Sequence, residues 1–188
     1  MLISKNLVLR SLCNEDIPYI NKWRNDLENK LHTQGYRFPV TLGNDTEWLI
    51  SKTTTKQNNE VFFIIEEIEK KDIPIGIIQL TNIDFISGVA TWGFILGDKS
   101  KRGKGYGIEA PLLLLNYSFN VLNLRKIISY NVGFNKATLK MHHKIGPVKE
   151  EGCLKMHYYF NNKYWDVYIL SFFKEDFLNL KFNYDSIQ

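Results

Sequence analysis

The chain has 188 residues and a net charge of +4, and hydrophobic and charged residues make up 44% and 23% of it. This length and composition predict a single domain over residues 1–188 and argue against intrinsic disorder. The positive charge is scattered along the chain, which argues against a nucleic-acid-binding surface.

The sequence also argues against membrane and metal binding. Its apolar runs are far shorter than the ~20 residues that cross a bilayer, and its first residues lack the pattern of a signal peptide. The two cysteines, Cys13 and Cys153, form neither a CxxC motif nor a cluster with histidines at metal-binding spacing. We therefore expect a cytoplasmic protein with free thiols, without a metal and without membrane contact.

The first half of the chain predicts a strand, two helices and then three strands. Residues 7–12 alternate as in a strand, and Asn14 is placed to cap a helix with apolar residues at helical spacing. Residues 29–43 are irregular, and Asn44 or Asp45 can cap a second helix. Three apolar stretches with short turns between them then predict consecutive antiparallel strands, at residues 61–65, 74–80 and 89–96.

The second half predicts two helices and three more strands. A Gly-rich loop precedes the first of these helices, where Pro111 lacks the N–H of a helical bond, so we expect a kink or a distorted first turn. The remaining elements are a strand at 126–132, a helix at 135–144, and two strands at 155–160 and 164–173 joined as a hairpin at Asn161 and Asn162.

This order of elements predicts an α/β (α+β) fold with a mixed, mostly antiparallel central sheet flanked by helices. The helix between the strands at 89–96 and 126–132 has the length of a crossover, so these two strands are expected to be parallel.

The loop before that helix has the composition of a phosphate site. It consists of Arg102, Gly103, Lys104, Gly105, Tyr106 and Gly107. Glycines allow close approach and positive φ, and the free amides of a helix N-terminus donate to phosphate oxygens. The basic side chains at 101, 102 and 104 add charge. The spacing excludes a P-loop and the dinucleotide fingerprint, and a plain connecting loop is the alternative.

Further motifs surround this loop. They are Leu7-Val8-Leu9-Arg10, Trp23-Arg24-Asn25-Asp26, Trp92-Gly93-Phe94-Ile95, Asn135-Lys136-Ala137, Lys144-Ile145-Gly146, Glu150-Glu151-Gly152 and Tyr164-Trp165-Asp166-Val167. Together with the loop, which matches the pattern Gln/Arg-x-x-Gly-x-Gly/Ala, they resemble the GNAT acyltransferase superfamily over nearly the whole chain. The combination is similar to the branch that contains ribosomal-protein N-terminal acetyltransferases and their small-amine relatives.

The resemblance implies direct transfer of an acetyl group from acetyl-CoA to a primary amine, without a metal. The strands at 89–96 and 126–132 would splay apart around the pantetheine, and the amides of 103–107 would hold the pyrophosphate. Backbone groups near Ile95 and Leu96 would meet the pantetheine and the thioester. Asn135 matches a position that contacts the cofactor, and helix capping is its alternative role.

The resemblance leaves the proton-transferring groups open. Many family members place a tyrosine acid seven residues after the asparagine, and this position is His142. Imidazole can protonate a thiolate, although a structural role beside His143 is the alternative. The glutamate that many relatives carry on the strand before the loop is replaced by Thr91. Three other carboxylates could serve as the base, namely Asp84, Glu109 and Glu47, but no spacing selects one of them.

We expect the acceptor to be a small amine such as a polyamine, an amino-sugar or an amino acid. A protein N-terminus or lysine is the alternative, and so is a non-catalytic acyl-CoA-binding module. Residues 29–43 and the final hairpin are expected to line the acceptor pocket, with aromatic surface from Tyr36, Phe38, His157, Tyr158 and Tyr159. The last strands can support a homodimer, because an open sheet edge invites pairing.

Overall fold

The computed structural model describes residues 1–32, 37–54 and 59–179. In this part of the chain eight strands form one sheet in the order β1-β2-β3-β4-β5-β6-β8-β7. The strands are β1 (Leu2–Ile3), β2 (Leu7–Arg10), β3 (Val61–Glu67), β4 (Lys70–Asp84), β5 (Val89–Leu96), β6 (Lys126–Val132), β7 (Lys149–Phe160) and β8 (Lys163–Phe173).

Helices cover both faces of the sheet. They are α1 (Ile17–Asn25), α2 (Leu27–His32), α3 (Leu42–Thr54), α4 (Tyr106–Asn116), α5 (Lys136–Ile145) and α6 (Lys174–Asn179). None of the helices in the described ranges is long and apolar enough to cross a bilayer.

Two apolar clusters hold the helices against the sheet. The larger one joins α4 and α5 to one face, with Leu114 and Ile145 buried against strand residues such as Ile78. The smaller one lies on the opposite face, where Ile20 and Trp23 of α1 pack on neighbouring strand residues. The predicted fold class, a mixed and mostly antiparallel sheet between helices, is confirmed.

Strands β5 and β6 have the predicted bounds and are parallel. They pair over three rungs, from Val89 with Lys126 to Thr91 with Ile128. Both strands lie wholly within the described residues, and beyond this rung they have no mutual pairing. They therefore splay apart from Trp92 and Ser129 onward, as the family resemblance implies.

The predicted hairpin is also present. Asn161 and Asn162 have φ values of 51° and 56°, which suit a tight two-residue turn between β7 and β8. Strand β7 is the last strand of the sheet, so the predicted open edge exists, while the homodimer stays a prediction.

Several helix boundaries differ from the predictions. Asn14 opens a short 3₁₀ turn instead of capping α1, which begins at Ile17. Helix α3 begins at Leu42, because the Thr41 hydroxyl accepts from the amide of Asn44 at 3.1 Å and caps the helix earlier than predicted.

Two further differences concern α2 and α4. Helix α2 forms at the start of the segment that was predicted to be irregular. Helix α4 continues through Pro111, and the irregularity lies later, in a π-helical turn at Tyr117–Val121.

Candidate active site

A cavity of about 730 Å³ opens where β5 and β6 separate. Residues in register across antiparallel strands point to the same face of a sheet. Phe62, Gln79 and Gly93 form one such row, on the face covered by α1 and α3. Ser129, Thr138 and His142 line the cavity from the side of α5. The gap between the splayed strands therefore connects the two faces.

The Gly-rich loop borders one end of this cavity. Gly103 and Gly105 have φ values of +79° and +89°, and a Cβ on either residue would meet no atom within 4 Å. Gly105 is the N-cap of α4 and accepts from the amides of Ile108 and Glu109 at 2.9 and 3.1 Å. The amides of Tyr106 and Gly107, at the start of this first turn, have no intrahelical acceptor. This geometry fits a pyrophosphate, which needs amide donors and open space beside the backbone.

The basic side chains of the loop differ in their availability. Lys101 is buried and pairs with Glu67. Arg102 pairs with Glu28 and donates to Asn29 at 2.9 Å. Two of the three positive charges at positions 101, 102 and 104 are thus matched by carboxylates, while Lys104 is exposed. The attraction of the loop for anions therefore relies on its amides and the helix dipole more than on these side chains.

Helix α5 carries two of the predicted site residues. Asn135 caps the helix, since its Oδ1 accepts from the amide of Thr138 at 3.1 Å, and it also lines the cavity. His142 is 1% exposed. Its Nδ1 lies 2.7 Å from the carbonyl oxygen of Thr138, and its Nε2 lies 2.8 Å from Oγ of Ser129.

The hydrogen bonds of His142 define which of its ring nitrogens carries the proton. A carbonyl oxygen only accepts, so Nδ1 carries the proton and Nε2 accepts from the serine hydroxyl. Burial lowers the pKa of His142 below its ordinary value of 6.5. The imidazole is therefore neutral at pH 7, and it must first take up a proton before it can protonate a thiolate.

The cavity brings together most of the predicted site residues. Those that line it are Ile95, Leu96, Arg102, Gly103, Gly107, Asn135 and His142. Three others lie on the same loop but outside the lining of the cavity: Lys104, Gly105 and Tyr106.

Comparison with known proteins identifies the family. A model described as an acetyltransferase (GNAT) domain matches residues 6–148. The chain belongs to the GNAT acetyltransferase family.

The relatives of this GNAT chain include enzymes that act on small amines. Spermidine N(1)-acetyltransferase of Vibrio cholerae is 28% identical over 94% of this chain and 98% of the relative. The same-named enzyme of Escherichia coli K12 is 26% identical over 90% and 87%. A crystal structure of the Vibrio cholerae spermidine N-acetyltransferase with CoA and spermine has a TM-score of 0.83, 26% identity, and coverage of 92% and 98%.

These findings confirm the predicted activity. The chain is an acetyl-CoA-dependent N-acetyltransferase that acts on a small-molecule amine. They support the small-amine branch of the predicted resemblance and do not single out the ribosomal-protein branch.

The three carboxylates considered from the sequence, Asp84, Glu109 and Glu47, do not line the cavity of this GNAT enzyme. Asp84 accepts from the amides of Ile86 and Ser87 in the turn after β4. Glu109 accepts from Ser4 at 2.6 Å and thereby ties α4 to the N-terminal strands. Sequence reasoning missed Glu60, which directly precedes β3 and is the carboxylate that lines the cavity among the described residues. Its only local signal is a charge before an apolar strand, which is too common to be selective.

Aromatic and charged residues line the cavity on the side of α1 and α3. We call this region the acceptor-side chamber, and it consists of Arg24, Trp48, Lys52, Glu60 and Phe62. The Trp48 and Phe62 rings meet edge to face at 5.2 Å. The Arg24 guanidinium lies 4.0 Å from the Trp48 ring centre and also pairs with Asp45, while Lys52 pairs with Glu60.

The described aromatic residues that were expected in the acceptor pocket do not line this cavity. Tyr158 packs against Phe134, and with His157 and Tyr159 it is absent from the lining of the cavity. Phe38 is 81% exposed, and Tyr36 lies outside the described residues. Long-range packing of the hairpin against the loop before α5 explains the difference.

Tyr106 anchors the loop from its C-terminal side. Its hydroxyl donates to Glu67 at 2.7 Å, and this hydrogen bond, with burial, raises the pKa of Tyr106 to about 12. Lys101 holds the same carboxylate and lowers the pKa of Glu67 below its ordinary value of 4.5. One buried carboxylate at the end of β3 therefore fixes both sides of the loop.

We expect Glu67→Gln to lower the free energy of unfolding by about 1.5–3 kcal/mol, the range for hydrogen bonds to charged groups. Because the native pKa of Glu67 is depressed, its contribution is complete above the unfolded value of 4.5 and is lost as the pH falls through the native value. Urea unfolding at pH 7 and pH 3 tests this, with Glu69→Gln as the exposed control. A deficit of the Glu67 variant that is equal at both pH values would contradict it.

Proposed function

We propose that the acceptor is a linear polyamine such as spermidine, whose reacting amine enters the cavity from the acceptor-side chamber. A polyamine carries one positive charge per amine near pH 7, and apolar methylene groups separate these charges. Its recognition therefore needs a carboxylate beside apolar or aromatic surface.

The observation that carries this proposal is Glu60 beside Trp48 and Phe62 in the acceptor-side chamber. The two rings already face cations of the chain itself, since Lys52 lies 5.7 Å from the Phe62 ring centre. A second ammonium of the acceptor would take the place of Lys52 on Glu60. The names of the Vibrio cholerae and Escherichia coli relatives support the same acceptor class.

For the donor, we propose that the amides of Gly103, Lys104, Gly105, Tyr106 and Gly107 bind the pyrophosphate of acetyl-CoA. Arg102 would fix the start of this loop through Glu28 and Asn29. The splayed segment that contains Ile95 and Leu96 pairs with β4 on one side, and it would hold the pantetheine by the backbone groups on its other side, opposite Asn135. The positive φ values at 103 and 105 and the open space beside them support this assignment.

The first test is thiol release from acetyl-CoA with a panel of amines. Spermidine and spermine are expected to give the highest kcat/KM, and n-butylamine, which has a single amine, a much lower one. Preference for glucosamine or for short peptides with free N-termini would contradict the polyamine proposal while leaving the acetyltransferase activity intact.

Two variants of one ion pair test the role of Glu60. We expect Glu60→Gln to raise KM for spermidine about tenfold, which corresponds to the loss of about 1.4 kcal/mol of binding. Lys52→Met should lower this KM, because it releases Glu60 for the acceptor. In both variants, KM for acetyl-CoA and the rate with n-butylamine should change little.

Glu47→Gln, on the exposed side of α3, is the matched control and should behave as wild type. If Glu60 served only as the partner of Lys52, Glu60→Gln and Lys52→Met would lower the stability equally and would leave KM for spermidine unchanged. That result would contradict the assignment of Glu60.

A further inference from the structure

A chain of buried hydrogen bonds runs from the cavity to α5. Asn131 Nδ2 donates to Ser129 Oγ at 2.9 Å, and Ser129 Oγ donates to Nε2 of His142 at 2.8 Å. Nδ1 of His142 in turn donates to the carbonyl of Thr138. A hydroxyl is thus bonded to the unprotonated nitrogen of an imidazole, whose other nitrogen is held by the backbone. This is the arrangement of a hydroxyl activated by a base.

The place of Ser129 in the sheet connects this chain of bonds to the reaction. Ser129 is the first residue of β6 beyond the last rung that pairs with β5. Ser129, Asn131 and His142 all line the cavity. The His142 ring is fixed by Trp92, at 5.2 Å between ring centres, and by Phe172, which stacks at 5.8 Å and 12°.

We propose that Ser129 is a catalytic residue that passes protons between the reacting atoms and His142, and that His142 acts only through Ser129. As the C–N bond forms, the amine nitrogen gives a proton to Ser129 Oγ, and the serine proton moves to Nε2. As the C–S bond breaks, Ser129 gives a proton to the sulfur and regains the one on Nε2. The net result is one proton moved from nitrogen to sulfur, with Ser129 and His142 unchanged.

This inference rests on the acetyl transfer of the family and not on the identity of the acceptor. It accounts for two departures of this chain from its family resemblance, the threonine at 91 and the histidine at 142. One pair of side chains would act first as the base and then as the acid. An acceptor that arrives as an ammonium first loses one proton to solvent and then reacts as the neutral amine.

The protonation of His142 suits this sequence of steps. Burial keeps the imidazole neutral and ready to accept, and the same burial makes the protonated ring a stronger acid toward a thiolate. The groups that face the ring are uncharged: Trp92 from β5, Ser129 from β6, Phe172 from β8 and the Thr138 carbonyl. His143, its neighbour on α5, adds a further lowering of the His142 pKa.

The kinetic test compares variants of the pair with spermidine and with n-butylamine as acceptors. The second acceptor has no distal ammonium, so the comparison does not depend on the polyamine proposal. Ser129→Ala and His142→Gln are each expected to lower kcat about 100-fold, the lower end for general acid–base catalysis. KM for acetyl-CoA should stay within about twofold, since binding and proton transfer use different groups.

Two further variants separate catalysis from packing. Ser129→Thr keeps the hydroxyl and should recover most of kcat. Ser171→Ala removes an equally buried serine on β8 whose hydroxyl has no hydrogen-bond partner among the described residues, and it should behave as wild type. The double variant of Ser129 and His142 should be no slower than either single one, because the two residues act as a unit.

A measurement without turnover completes the test. In the complex with CoA, ¹⁵N NMR of the His142 side chain should show a neutral ring with the proton on Nδ1 and a pKa below 6.5. The acidic limb of kcat in the wild type should follow the same pKa and be absent in His142→Gln. Multiplicative losses in the double variant, a ring protonated on Nε2 at pH 7, or an acetyl group on Ser129 in the absence of acceptor would each overturn the proposal.

Discussion

Replacing Arg10 with methionine is expected to lower the free energy of unfolding by about 3–5 kcal/mol, the cost of leaving buried carboxylates without their partner. Arg10 lies on β2 and binds Asp16 through two nitrogens at 2.8 and 2.7 Å. Its Nε donates to Glu66 at 2.7 Å. Asp16 is fully buried and Glu66 is 5% exposed. Methionine fills similar space, so the loss reports the two carboxylates left without a positive partner rather than a void.

Urea unfolding at pH 7 measures this loss. Lys155→Met is the matched control, because Lys155 pairs with Asp166 on the surface, where an ion pair contributes little. Arg10→Lys should be intermediate, since lysine keeps the charge but lacks the planar fork that engages both carboxylates. An Arg10→Met variant as stable as the Lys155→Met variant would show that these carboxylates are solvated in solution.

The Arg10 contacts also affect the candidate active site. Asp16 immediately precedes α1, and α1 carries Trp23 and Arg24 into the wall of the cavity. Loss of Arg10 should therefore loosen α1 and raise KM for the acceptor before the whole domain unfolds. This coupling links an N-terminal strand residue to the acceptor-side chamber.

Short-range patterns predicted the part of the chain that we propose binds acetyl-CoA. The bounds of β5 and β6, the parallel crossover and the cap at Asn135 follow from apolar runs, one helix of crossover length and one capping residue. All of these signals operate within about one element. The splay of β5 and β6 followed from the family resemblance, since no local pattern marks the rung at which two strands separate.

Contacts between distant residues explain what the sequence did not predict. Helix α2 is short and polar, and Glu28 and Asn29 on it are held by Arg102, more than 70 residues away. Glu60 lines the cavity and pairs with Lys52 of α3. Ser129 differs from other strand residues only because α5 brings the His142 imidazole within hydrogen-bond distance of its hydroxyl. Residue types alone did not distinguish Glu60 from Asp84, Glu109 and Glu47, because the difference is where each carboxylate points.

Placing an aspartate at Gly103 is expected to weaken acetyl-CoA binding about 10- to 100-fold more than placing an asparagine there. A Cβ at 103 meets no atom within 4 Å, and φ is +79°, a conformation that both residues tolerate better than other side chains. The two variants share shape and backbone strain and differ by one charge. At an effective dielectric of about 20, two unit charges ~5–6 Å apart repel by about 3 kcal/mol.

Calorimetric titration with acetyl-CoA at two ionic strengths measures this difference, which should shrink as salt screens the repulsion. The same pair of substitutions at Gly88 is the control, because Gly88 has a φ of +65° in the turn between β4 and β5 and is absent from the lining of the cavity. The two Gly88 variants should bind acetyl-CoA equally. Equal affinities of the two Gly103 variants would mean that the pyrophosphate lies away from this loop, since no placement against the amides of 103–107 avoids the added charge.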